Sequence, residues 1–204
     1  MAVPSVKGSL IAASVEDIQK LVQAGTLSQA ELARRLKPGD LELLSSGVQM
    51  MGWYDIRIHA RMLELLKDVE GDGSDDYLRR RGERSAERLL NAGLYQQLEY
   101  LNRTQSANSA DPHARFLAFG RDLRLLTTLS GSIYNFTHWE SQIDPEIGNR
   151  YLIQVSDSKA FPDMMGCAAE GFINRMAKQH GEPDLWRWQR TAPDLMVFRM
   201  IRDL

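Results

Sequence analysis

The fold is decided by residues 150–202, which read RYLIQVSDSKAFPDMMGCAAEGFINRMAKQHGEPDLWRWQRTAPDLMVFRMIR. Short apolar runs with a period near two occupy Arg150–Val155, Leu185–Arg190 and Met196–Arg202, and such runs are typical of β-strands. Between the first run and the second, the apolar residues of Phe161–Gln179 recur at helical spacing. The stretch therefore predicts a strand, a helix and two further strands.

A fourth strand is predicted just upstream, over Ser132–Gln142. The turn-forming residues Asp144–Gly148 separate it from the next strand, and Thr191–Asp194 separate the last two strands. Two hairpins that share one sheet, with the helix crossing it, bury the apolar faces of all five elements. We therefore expect a four-stranded antiparallel sheet in the order strand-strand-helix-strand-strand.

The chain upstream of this sheet is predicted to be helical. Apolar residues recur at helical spacing in six segments, at about 15–22, 27–36, 54–69, 75–92, 94–101 and 115–129. The polar stretch Thr104–Pro112 is the predicted loop, and the composition does not change across it. The sequence thus predicts an α+β fold in a single domain, 1–204, with a helical part at about 1–129 and a sheet part at about 130–204.

Composition limits the classes of function that the chain can have. It has 204 residues and a formal net charge of −2, so no global field attracts nucleic acid or an anionic membrane. The single cysteine, Cys167, suits a reducing compartment. The sequence shows neither a secretory signal nor an apolar run near 18 residues. We expect a cytoplasmic bacterial protein without a membrane span.

The acidic segment from Asp68 to Arg79 resembles a calcium-binding loop. Its oxygen-bearing residues and glycine match loop positions 1, 3, 5, 6 and 9 of an EF-hand, at Asp68, Glu70, Asp72, Gly73 and Asp76. Position 12 must supply a bidentate carboxylate, but here it is Arg79. The segment is therefore interpreted as a turn between helices, and no metal site is predicted.

Residues 26–44 resemble a helix-turn-helix segment. The part from Thr26 to Leu36 is similar to the first helix of such repressors. The following residues, 37–44, are short, acidic and apolar, and acidic side chains repel the phosphates that a recognition helix must approach. A DNA-binding regulator remains an alternative, but the pattern disfavours nucleic acid as a partner.

No residue pattern predicts catalysis. The four histidines, at positions 59, 113, 138 and 180, have no ligand spacing, and Cys167 lies among small residues as a buried thiol. The arginines of 79–84 pair with acidic residues at helical distances, which is typical of a solvated helix face. No catalytic residue, metal or cofactor is predicted, and an enzyme without a recognisable motif remains a second alternative.

The apolar residues of the predicted sheet are the candidate ligand site. Trp186 and Trp188 share one strand face, as do Met196 and Phe198 on the neighbouring strand. Such a face is either the core beneath the crossing helix or the lining of an adaptable apolar pocket. The candidate pocket residues are Phe136, Met165, Phe172, Trp186, Trp188 and Met196.

Several short pieces together resemble a family of uncharacterised proteins of about this length that is expanded in myxobacteria. They are Val6–Ser9, Trp53-Tyr54, Gly82–Glu87, Gly93–Tyr95 and the helix Met165–Lys178 with the hairpin after it. That family is distantly similar to the vinyl-reductase-type, haem-nitric oxide and TRAPP-subunit folds, which also end in strand-strand-helix-strand-strand. The likeness implies small-molecule sensing in an apolar pocket, or dimeric scaffolding.

Two departures limit what the resemblance implies. The cysteine usual in the last hairpin is absent, and its place is taken near Leu195 or Met196. The tyrosine-serine-arginine signature that holds haem propionates is also missing, so haem is not predicted. We expect a non-enzymatic module that senses a small apolar ligand or binds a protein partner. The resemblance implies that it acts as a homodimer in signalling or scaffolding.

Overall fold

The architecture was obtained as a computed structural model that describes residues 3–91 and 111–204. Its helices in these ranges are α1 (Gly8–Gln23), α2 (Gln29–Arg35), α3 (Pro38–Ser46), α4 (Ile56–Gly71), α5 (Asp75–Asn91), α6 (Pro112–Ser130) and α7 (Asp163–Ala177). Its strands are β1 (Ser5–Lys7), β2 (Trp53–Asp55), β3 (His138–Ile143), β4 (Tyr151–Ser156), β5 (Trp186–Ala192) and β6 (Leu195–Met200), with single 3₁₀ turns at Ser158–Ala160 and Lys178–His180. The α+β prediction is confirmed.

The main sheet has the strand order β3-β4-β6-β5, and all its neighbours are antiparallel. The hairpins β3–β4 and β5–β6 are joined by pairing of β4 with β6, so the predicted two-hairpin sheet is also confirmed. Ile153 lies opposite Phe198, which in turn lies opposite Trp188. These residues share the face on which α6 and α7 pack. The opposite face carries polar side chains such as Gln154 and Arg199, together with the buried Leu152 and Val197.

The first predicted strand begins later than expected. β3 starts at His138 rather than Ser132, because Tyr134 forms an isolated antiparallel bridge with Val6 of β1. Asn135 also accepts a hydrogen bond from the backbone N–H of Ser5, at 2.7 Å. Residues 133–135 therefore bind to β1, which pairs with β2 in a small second sheet.

The small β1–β2 sheet was not predicted. Each strand has only three residues, and so short a segment cannot show the alternation of apolar and polar residues that distinguishes a strand from the helices around it. As a result, the long helix begins at Ile56 rather than Tyr54, with the Asp55 carboxylate accepting a hydrogen bond from the Arg57 N–H. The predicted helix at 94–101 and most of the predicted loop lie outside the described residues.

The helical part and the sheet part share one hydrophobic cluster. It includes Ile11 and Ile18 of α1, Leu66 of α4, Ile153 of β4 and Trp186 of β5, all without exposed surface. The closest association between elements is that of α5 with α7, which joins the two parts. Within the described ranges, none of the helices combines the length and the apolarity needed to cross a bilayer.

Candidate functional site

The six predicted pocket residues lie in or against this hydrophobic cluster. Met165, Trp186 and Met196 are buried, with at most 3% exposure. Phe136, Phe172 and Trp188 are half-buried and pack against them. The rings meet different partners: Trp188 covers Gly166, Trp186 stacks on Phe119 and Phe136 contacts Phe161. An apolar pocket at these residues stays a prediction.

A groove of about 430 Å³ lies elsewhere, where α5 and α7 meet the start of β5. Its volume falls in the range of small-molecule sites. Charged side chains of both signs dominate its lining, which consists of Asp76, Arg79, Glu83, Glu87, Glu170, Gly171, Asn174, Arg175, Lys178, Pro183, Asp184 and Arg187. The sequence did not reveal this site, because its two walls are about 90 positions apart in the chain.

The groove exists because the two helices approach to backbone contact beneath it. A β-carbon on Gly82 would lie 1.8 Å from the carbonyl oxygen of Ala168, and one on Gly171 would lie 2.0 Å from that of Arg79. Only glycine fits at either position, since real β-carbons do not approach closer than about 3.0 Å. The two glycines therefore set the depth of the groove and fix its walls.

Glu170 forms the floor and is 2% exposed. One carboxylate oxygen accepts a hydrogen bond from Arg79 Nε at 2.8 Å, and the other accepts one from the backbone N–H of Trp188, also at 2.8 Å. A buried carboxylate needs such partners, because desolvation otherwise disfavours its charged form. In turn, the hydrogen bond from Arg79 to Glu170 raises the pKa of that arginine.

Asn174 extends this contact one helical turn further along α7. Its amide accepts a hydrogen bond from the Trp186 N–H at 2.8 Å and donates one to the Trp186 carbonyl at 3.1 Å. Trp186 and Trp188 lie on β5, an edge strand of the sheet. Glu170 and Asn174 thus satisfy backbone groups that an edge strand leaves unpaired, and they couple the groove to the sheet.

Ion pairs hold most of the charges at the rim. Arg79 pairs with Asp76 at 2.9 Å, Arg175 with Glu87 at 3.0 Å, and Arg187 with Asp184 at 2.7 Å. The Arg187 guanidinium lowers the pKa of the Asp184 carboxyl. Glu83 and Lys178 are both exposed, and neither forms an ion pair or hydrogen bond within the described parts of the chain. The groove therefore presents one free carboxylate and one free ammonium group.

Three buried groups near α4, α5 and α7, Cys167, His59 and Tyr77, are shifted towards their neutral forms. Burial raises the pKa of the Cys167 thiol, which opposes formation of a nucleophilic thiolate. Burial and then the charge of Arg81 lower the pKa of His59 to about 3. Burial and then the hydrogen bond to Glu70 raise the pKa of Tyr77 to about 12. These shifts move all three groups away from acid-base or nucleophilic work near pH 7.

The carboxylates of the segment that resembles a calcium loop have other partners. Asp68 pairs with Arg35 of α2, Glu70 accepts a hydrogen bond from the Tyr77 hydroxyl, and Asp76 pairs with Arg79. The turn itself is closed by Asp72, which adopts the left-handed conformation with φ of 48°. The segment thus serves as the connection between α4 and α5.

The segment that resembles a helix-turn-helix forms α2 and α3. Asp40 of α3 is buried and bound by Arg61 of α4 through two hydrogen bonds of 2.6 Å, which anchors α3 against the helical core. The exposed residues of α3 include Glu42 and two serines whose hydroxyls donate to the Glu42 carbonyl. α3 itself carries no lysine or arginine for phosphates; the exposed cations of the segment, Arg34 and Lys37, lie before it.

No family model matches this chain, and no curated protein and no solved structure is significantly similar to it. The resemblance to the myxobacterial family therefore stays a prediction, and the geometry of the groove carries the argument about function.

Proposed function

We propose that this protein is a non-enzymatic binding module that senses a small zwitterionic molecule in the groove between α5, α7 and β5. The observation that carries the proposal is the pair Glu83 and Lys178, which line one groove with opposite charges and without other partners. A ligand with one ammonium and one carboxylate group would satisfy both of them. The charged lining supports such a polar ligand in preference to the apolar one expected from the sequence.

The groove is suited to binding because its walls are rigid. Contact of the helix backbones at Gly82 and Gly171 leaves the floor of the groove little freedom to move. Binding of a ligand therefore costs little conformational entropy. The ion pairs of Arg175 and Arg187 hold the rim side chains in place. The neutral states of Cys167 and His59 favour a binding role over a catalytic one.

A ligand here would also act on the main sheet. Glu170 and Asn174 both line the groove and both bind the backbone of β5, so a shift of α7 would move the backbone of that edge strand. This is a direct physical connection between a ligand site and a second surface, which sensing requires. We propose that the module works as a homodimer in bacterial cytoplasmic signalling.

Native mass spectrometry of protein purified from its own host tests the proposal. We expect a retained small molecule, and we expect isothermal titration with that molecule to give about tenfold weaker binding for Glu83→Gln and for Lys178→Gln. Arg80→Gln is the matched control, because Arg80 is exposed on α5 outside the groove lining. Protein that carries no ligand, or binding unchanged by both groove variants, would refute the groove as the site.

A further inference from the structure

We infer that two copies of this chain associate through β3, so that the two four-stranded sheets become one continuous sheet of eight strands. This inference extends the proposed function by naming the surface of the homodimer, and it does not depend on the ligand groove. It rests on the free edge of β3 and on the side chains that a second β3 would meet.

The outer edge of β3 has unpaired backbone groups. The Asp144 N–H donates to the Arg150 carbonyl at 2.8 Å, so Asp144 faces the β4 side of the hairpin. Because successive residues of a strand point their N–H and C=O groups to opposite sides, Trp139, Ser141 and Ile143 face away from β4. Within the described ranges, no residue hydrogen-bonds to the backbone of these three.

The two edges of the main sheet differ in this respect. On β5, side chains of α7 bind the outward backbone groups of Trp186 and Trp188. On β3, α6 packs against the strand but supplies no such hydrogen bonds. A free edge strand is a template for pairing with another strand. The protein therefore satisfies several backbone groups of one edge internally and leaves those of the other edge unpaired.

The side chains of β3 match a second β3 in one antiparallel register. A two-fold axis at Ser141 places Trp139 opposite Ile143 of the other copy, which pairs two apolar side chains on the buried face. On the exposed face, it places Glu140 opposite Gln142. Trp139, Ser141 and Ile143 then exchange six backbone hydrogen bonds between the copies, since each hydrogen-bonded pair makes two.

The adjacent registers lose the apolar pairing. If the two strands slip by one pairing in one direction, Glu140 lies opposite Glu140 of the other copy, and like charges directly opposite each other destabilise a sheet. If they slip in the other direction, Glu140 lies opposite Asp144, whose buried carboxylate is already paired with Arg199 at 3.1 Å. Either slip separates Trp139 from Ile143, so the register centred on Ser141 is selected.

The axis at Ser141 is perpendicular to the sheet, so both α6 helices lie on the same side of the combined sheet. Ile143 is 50% exposed at the end of this edge. A second copy paired at the β3 edge offers it an apolar partner in Trp139.

Cysteine pairs test the register. Residues 140 and 142 of opposite copies form non-hydrogen-bonded pairs, in which α-carbons lie about 4.5 Å apart, within the range for a disulfide. We expect the double variant Glu140→Cys, Gln142→Cys to form a covalent dimer on mild oxidation, and neither single variant to do so. Wild-type protein is the control, because its own Cys167 is buried. Linkage by a single variant would mean a slipped register and would overturn the inference.

Charge variants at the exposed position 142 test the contact without a covalent bond. Gln142→Glu places two acidic pairs across the axis, and we expect the dimer to dissociate about tenfold more readily in sedimentation equilibrium. Gln142→Lys creates two opposite-charge pairs, and we expect dissociation about tenfold less readily. Monomeric wild-type protein at 100 µM, or a dimer whose dissociation constant is the same in both variants as in the wild type, would overturn the inference even if the groove binds its ligand.

Discussion

At the scale of single residues, His59 shows how burial fixes a protonation state. The side chain lies on α4, is 4% exposed, and its Nδ1 atom has no hydrogen-bond partner among the described residues. Arg81 lies nearby as a fixed positive charge, bound to Asp17 at 2.6 Å and to the Ser14 hydroxyl at 3.1 Å. His59 follows Ile58 of the apolar stripe of α4 in the sequence, and the structure places it inside the core.

His59 should make the protein lose stability in mild acid. Its pKa is about 3 in the folded protein and about 6.5 in the unfolded chain, so below pH 6.5 the unfolded chain takes up a proton that the folded protein does not. The free energy of unfolding should fall by about 2 kcal/mol between pH 7.5 and pH 5 from this group alone. Urea unfolding at the two pH values would measure this loss.

The control for this prediction is His59→Leu, which keeps the volume and removes the titrating ring. Its free energy of unfolding should change little between pH 7.5 and pH 5. The range stops at pH 5 because Asp17 loses its own stabilising contribution only at lower pH. Burial raises the pKa of the Asp17 carboxyl, but the hydrogen bond and the charge of Arg81 outweigh burial, so the pKa is lowered. Equal pH dependence in the variant and the wild type would show that other groups are responsible.

At the scale of elements, the crossing of α5 and α7 depends on two glycines. Gly82→Ala should force the helices apart, because the new β-carbon would meet the carbonyl of Ala168 at 1.8 Å. Overpacking of this kind costs about 1–3 kcal/mol. Alanine gains about 1 kcal/mol in helix propensity over glycine, which offsets part of this cost. We expect a net destabilisation of about 1 kcal/mol in urea unfolding, and weaker binding in the groove.

Gly39→Ala is the matched control for this substitution. Gly39 also lies in a helix, α3, but a β-carbon there would have no neighbour within 4 Å. The same chemical change should therefore stabilise the protein, by up to about 1 kcal/mol. Changes of the same sign at both glycines would show that the close helix contact is not what makes Gly82 necessary.

The contact between α7 and β5 is the second element-scale feature. Glu170→Ala removes the acceptor for Arg79 and for the Trp188 N–H. Arg79 is partly exposed and keeps Asp76, so the main cost is the unsatisfied N–H, about 1–3 kcal/mol. Glu170→Gln keeps an amide oxygen for the Trp188 N–H and should cost less. Amide hydrogen exchange at Trp188 should accelerate strongly in the alanine variant and only slightly in the glutamine variant. Unchanged exchange in both would show that Glu170 does not close this edge.

These elements also show what the sequence can and cannot predict. The four strands of the main sheet and its crossing helix were predicted because each is long enough to display its period. The three-residue strands β1 and β2 are too short to do so. The groove was missed because ion pairs across 91 and 88 positions cannot be derived from local spacing. The sequence did contain two signals of this helix contact. Glu170 is a charged residue among the small residues of α7, and Gly82 and Gly171 are glycines inside helices.

At the scale of the whole molecule, α5 determines how the helical part is joined to the sheet part. One face of α5 contacts α7 through Gly82 and Arg79, and Arg81 reaches α1 through Asp17 and Ser14. The hydrophobic cluster continues through both parts, from Val6 to Met200. Elements that share a core in this way lose their packing together, so we expect the two parts to unfold as one unit.

Equilibrium unfolding in urea tests whether the chain is the single domain that the sequence predicts. Tryptophan fluorescence reports mainly on the sheet part, which holds three of the four tryptophans, among them the fully buried Trp186, whereas Trp53 of β2 is 45% exposed. Ellipticity at 222 nm reports mainly on the helices. The two curves should coincide. Leu66→Ala in α4 and Ile153→Ala in β4, both at positions with no exposed surface, should each shift both curves together, by about 2–5 kcal/mol, without changing their slopes. If Leu66→Ala moved only the ellipticity curve, the helical part would be a separate folding unit, and a ligand in the groove would then act at a boundary between two domains.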